Sequence, residues 1–131
     1  MKSKNELWFT REHEWVRAAE DGYVIGISEY AVEQLGDIVY VGLPEVGEVF
    51  AVREVFGTVE STKTVSDLYM PISGEVTATN DDLTEKPETV QDDPLTAGWL
   101  IKIAPTETVD FSKLMDSGAY QKYVQEEGGV D

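Results

Sequence analysis

A six-residue pattern occurs twice in this chain: proline, two variable residues, then Gly-Glu-Val. The copies occupy residues 44–49 and 71–76. Each ends in a strand-like residue after a glycine that suits a turn. Two similar strand-turn-strand units predict a mainly β protein with the architecture of a quasi-two-fold β-sandwich. The reason is that repeated units commonly bury their apolar faces against each other. The alternative is a coincidence between two short strands with similar turns.

The rest of the sequence is also rich in strand signals. Predicted strands span residues 7–10, 15–18, 23–27, 37–43, 49–56, 58–61, 65–69, 74–79 and 99–103. Ser28 suits a helix N-cap and Gly36 a helix stop, which predicts a short helix near 28–35. The Asn, Asp and Pro residues within 80–97 predict a long surface loop with room for one helical turn.

After Pro105, apolar residues recur at helical spacing and predict a helical C-terminal appendage over about 108–127. The length of 131 residues suits one domain. We therefore expect a single domain over 1–131 with a β core at about 7–104.

Charge and composition exclude several classes of function. The chain has 26 acidic and 10 basic residues, a formal net charge of -16. Nucleic acids and anionic membranes would be repelled by such a surface. There is no cysteine and only one histidine, which excludes disulfides, thiolate chemistry and a histidine-rich zinc site. No apolar run is long enough to cross a bilayer.

A polar segment between the two repeats contains Lys63. Strand-like residues lie on both sides of it, so Lys63 is expected at the exposed tip of a β-hairpin. The segment lacks Asn-Gly or Asp-Gly, which leaves the turn type open. From spacing alone an ordinary solvated lysine is the favoured interpretation. A lysine at an exposed tip is also suited to covalent modification.

The wider sequence around Lys63 resembles the glycine cleavage system H proteins. Similar segments lie in order along nearly the whole chain: 12–16, 25–31, 35–44, 60–69, 71–76 and 98–103. Biotin carriers place methionine, and other lipoyl domains place aspartate, beside their lysine, whereas Thr62 and Thr64 flank Lys63. Tyr30, Gln91 and the pair at 95–96 depart from the usual family residues.

The resemblance implies a lipoyl/biotinyl-type hammerhead fold and a non-catalytic carrier with lipoate in amide linkage on Lys63. The implied partners are a pyridoxal-phosphate glycine decarboxylase, a tetrahydrofolate-dependent aminomethyltransferase, dihydrolipoamide dehydrogenase and the lipoylating enzyme. The carrier would pass the aminomethyl group of glycine from the first to the second of these. The third would then reoxidise its dithiol. A monomer is expected.

Three carboxylates in the matching segments are candidates for supporting roles. Glu14 and Asp67 are candidates for holding the cationic aminomethyl group, and the alternative is that they close a turn or contact solvent. Glu60 is a candidate recognition mark for the lipoylating enzyme, and the alternative is a cross-strand ion pair or plain solvation. His13 is expected to be a packed or hydrogen-bonded structural residue.

Other functional classes remain open at this point. A lipoate relay for another complex would carry the same modification without glycine-dependent turnover. An unmodified interaction module would keep only the fold. An enzyme is disfavoured, since no phosphate loop or nucleophile motif occurs. An N-terminus MKSKNELW, without a signal or transit pattern, favours a bacterial cytoplasm over a mitochondrial matrix.

Overall fold

The computed structural model describes residues 6–127, and this range contains nine strands, four α-helices and one 3₁₀ turn. The N-terminal segment before Glu6 and the residues after Glu127 lie outside it. The elements are β1 (Leu7–Phe9), β2 (Glu14–Ala19), β3 (Gly22–Ile27), α1 (Glu29–Leu35), β4 (Ile38–Gly42), β5 (Val49–Phe50), β6 (Val55–Ser61), β7 (Val65–Tyr69), β8 (Gly74–Thr79), α2 (Asp82–Glu85), α3 (Glu88–Asp92), β9 (Ile101–Pro105), the 3₁₀ turn (Phe111–Lys113) and α4 (Ser117–Glu127).

The strands form two sheets that share one hydrophobic core. The larger sheet has the order β1-β2-β3-β9-β8-β5 and the smaller one β4-β6-β7, with antiparallel pairing throughout. Buried residues of both sheets belong to the same apolar cluster, including Val16, Ile25, Val59 and Leu68. The predicted mainly β fold with two packed layers is confirmed.

The two copies of the repeat pair with each other. β5 lies antiparallel to β8, with Val49 opposite Glu75 and Phe50 opposite Gly74. The Gly47 amide donates to the Val76 carbonyl at 2.8 Å, and the Val76 amide donates to the Glu48 carbonyl at 2.9 Å. The repeat is therefore structural, because equivalent segments lie side by side in one sheet.

The predicted strand at 49–56 is wrong, because a turn divides it. Arg53 has a left-handed φ of 76°, and the Ala51 amide donates to the Glu54 carboxylate at 2.7 Å. The chain becomes extended again at Val55, and β6 then runs without a break to Ser61. It therefore includes Gly57, which the sequence placed between two separate strands. No glycine or proline marks the turn, so the sequence contained no strong signal for it.

The segment 80–97 is more ordered than the predicted surface loop. It contains two short helices, α2 and α3. Each inserts one apolar side chain into the core, Leu83 and Val90 respectively. A single buried residue per helix produces no periodic pattern, which is why composition alone suggested a loop.

The helical appendage is shorter than predicted. Leu114 is extended, and Met115 exchanges two backbone hydrogen bonds with Phe9 at 2.7 and 2.9 Å. The regular helix begins only at Ser117 and includes Gly118. Tyr120 stacks on Phe9, with ring centroids 4.1 Å apart, so α4 packs on the edge of the larger sheet through β1.

Candidate functional site

Lys63 lies in the turn that joins β6 and β7, as the sequence predicted. Glu60 pairs with Val65, and the Ser61 amide donates to the Thr64 carbonyl at 2.8 Å, which leaves Thr62 and Lys63 as a two-residue loop. Neither loop residue has a positive φ, unlike the commonest hairpin turns. The Ser61 hydroxyl oxygen instead accepts hydrogen bonds from the Lys63 and Thr64 amides, both at 3.1 Å. A serine side chain thus orders this turn without Asn-Gly.

A second set of hydrogen bonds fixes the turn to the rest of the protein. The Thr62 amide donates to the Asp37 carbonyl at 3.0 Å. Gln91 on α3 holds the same segment: its amide nitrogen donates to the Asp37 carboxylate at 3.2 Å, and its side-chain oxygen accepts from the Ile38 amide at 3.0 Å. Sequence reasoning noted Gln91 only as a departure from the family residue and missed this supporting role.

The helix stop at Gly36 leaves room for the lysine. Ser28 caps α1 as predicted, accepting from the Ala31 amide at 3.1 Å, and Gly36 ends the helix with φ 85°. A Cβ atom at Gly36 would lie 3.1 Å from Lys63 Cε and 3.7 Å from Nζ. Both the backbone conformation and the nearby lysine therefore favour glycine at this position.

The Lys63 side chain is exposed. Among the described residues no ion pair or side-chain hydrogen bond involves its ammonium group. A primary amine on an ordered, protruding turn is accessible to an enzyme and becomes nucleophilic when it loses its proton. The arrangement is suited to acylation of Nζ.

The three-stranded sheet places Glu60 and Asp67 in successive rows of its outer face. Tyr40, Glu60 and Val65 form the row next to the turn, and Gly42, Thr58 and Asp67 form the following row of that face. Within residues 6–127 no cation lies beside Glu60 in its row, so the alternative of a cross-strand ion pair is not seen in this register. Asp67 is exposed to solvent.

Glu14 is a buried carboxylate at the start of β2, with 1% of its surface exposed. It accepts hydrogen bonds from the Thr10 hydroxyl at 2.7 Å and from the Tyr69 amide at 3.1 Å. It therefore links the larger sheet to the end of β7. Burial raises the pKa of Glu14 to about 7, more than these hydrogen bonds lower it, and the nearby Glu12 carboxylate raises it further.

Glu14 and Asp67 are associated with the same strand but do not contact each other. Glu14 binds the amide of Tyr69, two residues beyond Asp67 on β7. Within residues 6–127 no hydrogen bond or ion pair joins the two carboxylates. Lys63 is six residues before Tyr69, a strand length of roughly 20 Å.

A cleft of about 400 Å³ lies near Glu14. Its lining includes Thr10, whose hydroxyl contacts Glu14, together with Glu12, Arg53 and Met70. Glu12 forms an ion pair with Arg53 at 3.1 Å. The cleft opens where β7 ends and contains charges of both signs.

His13 has a structural environment, as predicted. Its Nδ1 is 2.7 Å from the Tyr120 hydroxyl, which is also 2.7 Å from the Ser28 hydroxyl. The His13 ring lies against Tyr30, with centroids 4.9 Å apart. These contacts connect α4 to the N-terminus of α1 rather than to Lys63.

Two other kinds of feature are absent from the described part of the chain. No three His, Asp or Glu side chains among residues 6–127 are grouped in a way that could hold a metal ion. None of the helices in that range has the length and apolarity needed to cross a membrane.

Several known proteins similar to this chain belong to one family. The family described as glycine cleavage H-protein matches residues 7–127. Glycine cleavage system H protein of Anaeromyxobacter sp. (strain K) is 48% identical over 127 residues, covering 97% of this chain and 99% of the relative. That of Listeria monocytogenes serotype 4b (strain CLIP80459) is 46% identical over 122 residues, covering 93% and 98%.

A solved structure gives the same result. The crystal structure of a glycine cleavage system H protein from Mycobacterium marinum superposes with a TM-score of 0.81 at 39% identity, covering 97% of this chain and 99% of that one. The similarity in fold and sequence extends over nearly the full length of both chains. The chain therefore belongs to the glycine cleavage H-protein family.

Proposed function

We propose that Lys63 is the residue to which lipoate is attached in this chain. The chain is an H protein of the glycine cleavage system, and H proteins are non-catalytic carriers with lipoate on a lysine. The observation that carries the assignment to Lys63 is its exposed place in a turn that is ordered on both sides, by Ser61 and by Asp37.

The attachment is an acyl transfer to the lysine. Deprotonated Nζ of Lys63 attacks the acyl carbon of an activated lipoyl group, an adenylate or a thioester. The new amide bond replaces the bond to the leaving group, which departs as AMP or thiol, and the nitrogen releases a proton. The residues around Lys63 are suited to this role because they hold its backbone in place. No carboxylate within residues 6–127 forms an ion pair with its amine.

Lipoate, once bound, would supply a cyclic disulfide that is reduced as it takes up the aminomethyl group of glycine, and a dithiol remains when that group is released. The partners of the chain are within the glycine cleavage complex, with the decarboxylase and the aminomethyltransferase among them. We further propose dihydrolipoamide dehydrogenase and a lipoylating enzyme as partners, and a monomeric carrier. Because the relatives are bacterial, we place the carrier in the bacterial cytoplasm.

Asp67 and Glu14 are proposed to hold the cationic aminomethyl group. Asp67 is exposed on β7, the strand that begins beside the lysine turn, and Glu14 binds the end of the same strand. Glu14, with its pKa near neutrality, can become a carboxylate when a cation approaches. Attraction between the two charges would keep the amine on the protein and slow its loss to water.

The carrier role is tested by glycine decarboxylation in a reconstituted system. The lipoylated parental protein should support exchange of bicarbonate with the carboxyl carbon of glycine in the presence of the decarboxylase, and Lys63→Arg should not. Lys102→Arg is the matched control, since it changes another lysine on a strand of the other sheet, and it should behave like the parent. A parental protein that is lipoylated but inactive would support the lipoate relay instead.

A further inference from the structure

The outer face of the three-stranded sheet exposes apolar side chains next to Lys63. Tyr40 and Val65 lie on either side of Glu60 in the row nearest the turn, and they are 53% and 61% exposed. Val39 is 51% exposed at an irregularity in the pairing of β4 with β6. We call Val39, Tyr40, Glu60 and Val65 the hairpin patch. Large apolar side chains grouped on a surface indicate a contact site.

We propose that the hairpin patch is the docking surface for the lipoylating enzyme, whose active-site entrance would present apolar side chains and a basic group to Glu60. The inference rests on the proposed function of Lys63. It extends the role of Glu60 from a single recognition mark to the charged centre of an apolar contact surface.

Reach favours this enzyme over the other partners. The lipoylating enzyme must bring its acyl carbon to Nζ of the unmodified lysine. The distance between its active-site entrance and the turn therefore cannot exceed the length of one lysine side chain. Enzymes that act on the dithiol work at the far end of the longer lipoyl-lysine arm. Residues in the row next to the turn are therefore within contact distance of the lipoylating enzyme in particular.

Charge defines the chemistry of the partner further. Glu60 has Tyr40 and Val65 as cross-strand neighbours, and its carboxylate makes no hydrogen bond or ion pair within residues 6–127. An apolar partner surface would bury this carboxylate at a cost unless a cation met it. The net charge of -16 also favours a basic partner surface.

The test compares two pairs of substitutions in the full-length apoprotein. Tyr40→Thr with Val65→Thr changes the hairpin patch. Val49→Thr with Val52→Thr is the control. Both valines are similarly exposed, at 61% and 51%, but Val49 lies in β5 of the larger sheet and Val52 in the turn after β5. Threonine preserves strand propensity at these positions. The probe is a lipoate–protein ligase with lipoate and ATP, and the readout is KM and kcat for the acceptor protein by intact mass.

We expect the patch pair to raise KM about tenfold, corresponding to about 1.4 kcal/mol, with little change in kcat. The control pair should remain within about twofold of the parent, a change of less than about 0.5 kcal/mol. Glu60→Gln should also raise KM, and Val65→Thr alone provides a mild variant if the pair unfolds. Equal KM values for patch and control pairs would overturn the inference while leaving lipoylation of Lys63 intact.

Two further results would also count against the inference. Loss of a parental dimer in the patch pair, with KM unchanged, would assign the patch to a second copy of this chain. An unchanged ligase KM with a raised decarboxylase KM would assign it to that enzyme. A parent that is never modified at Lys63 would instead contradict the proposed function.

Discussion

Glu14 is the residue whose chemistry differs most from that of its type in water. Its carboxyl is buried against Thr10 and the Tyr69 amide, and burial raises its pKa from 4.5 to about 7. Between these two values the folded state retains a proton that the unfolded chain has released. The free energy of unfolding therefore decreases as pH rises through this range, and the loss is complete above the folded-state pKa.

Glu14→Gln should remove this pH dependence. An amide keeps an acceptor for the Tyr69 amide and does not ionise. From pH 4 to pH 8 the parent should lose up to about 3 kcal/mol of stability relative to the variant, at ~1.4 kcal/mol for each unit of pKa shift. Urea unfolding at several pH values measures the difference. Asp67→Asn, at an exposed carboxylate, is the control and should follow the parental curve.

The same two variants test how the aminomethyl group is held. Both Glu14→Gln and Asp67→Asn should shorten the lifetime of the aminomethyl-loaded protein, measured as release of ammonia. Release rates equal to the parental rate in both variants would mean that the two carboxylates have only structural or solvent contacts.

At the scale of elements, the β6–β7 hairpin owes its shape to Ser61. The sequence predicted where the hairpin turns but not how, because the stabilising acceptor is a serine hydroxyl rather than a residue with positive φ. The support from Gln91 was also not predictable. Asp37 and Gln91 are 54 residues apart in the chain and meet only after the sheets and α3 have packed.

Ser61→Ala should loosen the turn without unfolding the protein. The substitution leaves the Lys63 and Thr64 amides without their acceptor, at a cost of about 1 kcal/mol. Amide hydrogen exchange at these two residues should become faster, and acylation of Lys63 by the ligase should slow. Ser66→Ala on β7 is the control, because the Ser66 hydroxyl makes no hydrogen bond to another residue of the range 6–127. Unchanged exchange at both amides would contradict the assigned role of Ser61.

Other elements show where sequence patterns were and were not sufficient. The repeat at 44–49 and 71–76 predicted two related strand-turn-strand units, and in the structure its two copies lie side by side in one sheet. The turn at Arg53 was missed because a left-handed arginine has no sequence signal. The extended stretch around Met115 was taken for helix, since pairing with Phe9 depends on a strand at the other end of the chain.

At the scale of the molecule, both sheets and helices α1 to α3 contribute to one core. We propose on this basis that residues 7–127 fold as a single unit. α4 packs on a second, smaller cluster around Phe9 and Trp15. The lysine turn projects from the smaller sheet, whose inner face is fixed by the shared core.

The net charge of -16 predicts that association with the decarboxylase depends on salt. Long-range attraction to a basic docking surface speeds encounter, and ions screen it over about 10 Å at 0.1 M. The ratio kcat/KM for the lipoylated carrier should fall severalfold as ionic strength rises, whereas kcat should change little. Neutral lipoamide is the control substrate. Equal salt dependence for the carrier and lipoamide would indicate that the acidic surface serves solubility alone.

The most direct test of the account is the mass of the protein made in a host that lipoylates its own carriers, followed by peptide mapping. We predict a single lipoyl group, located on Lys63 and absent from Lys63→Arg. A parental chain that remains unmodified while the lipoyl proteins of the host are loaded, or that carries the group on another lysine, would contradict the central claim.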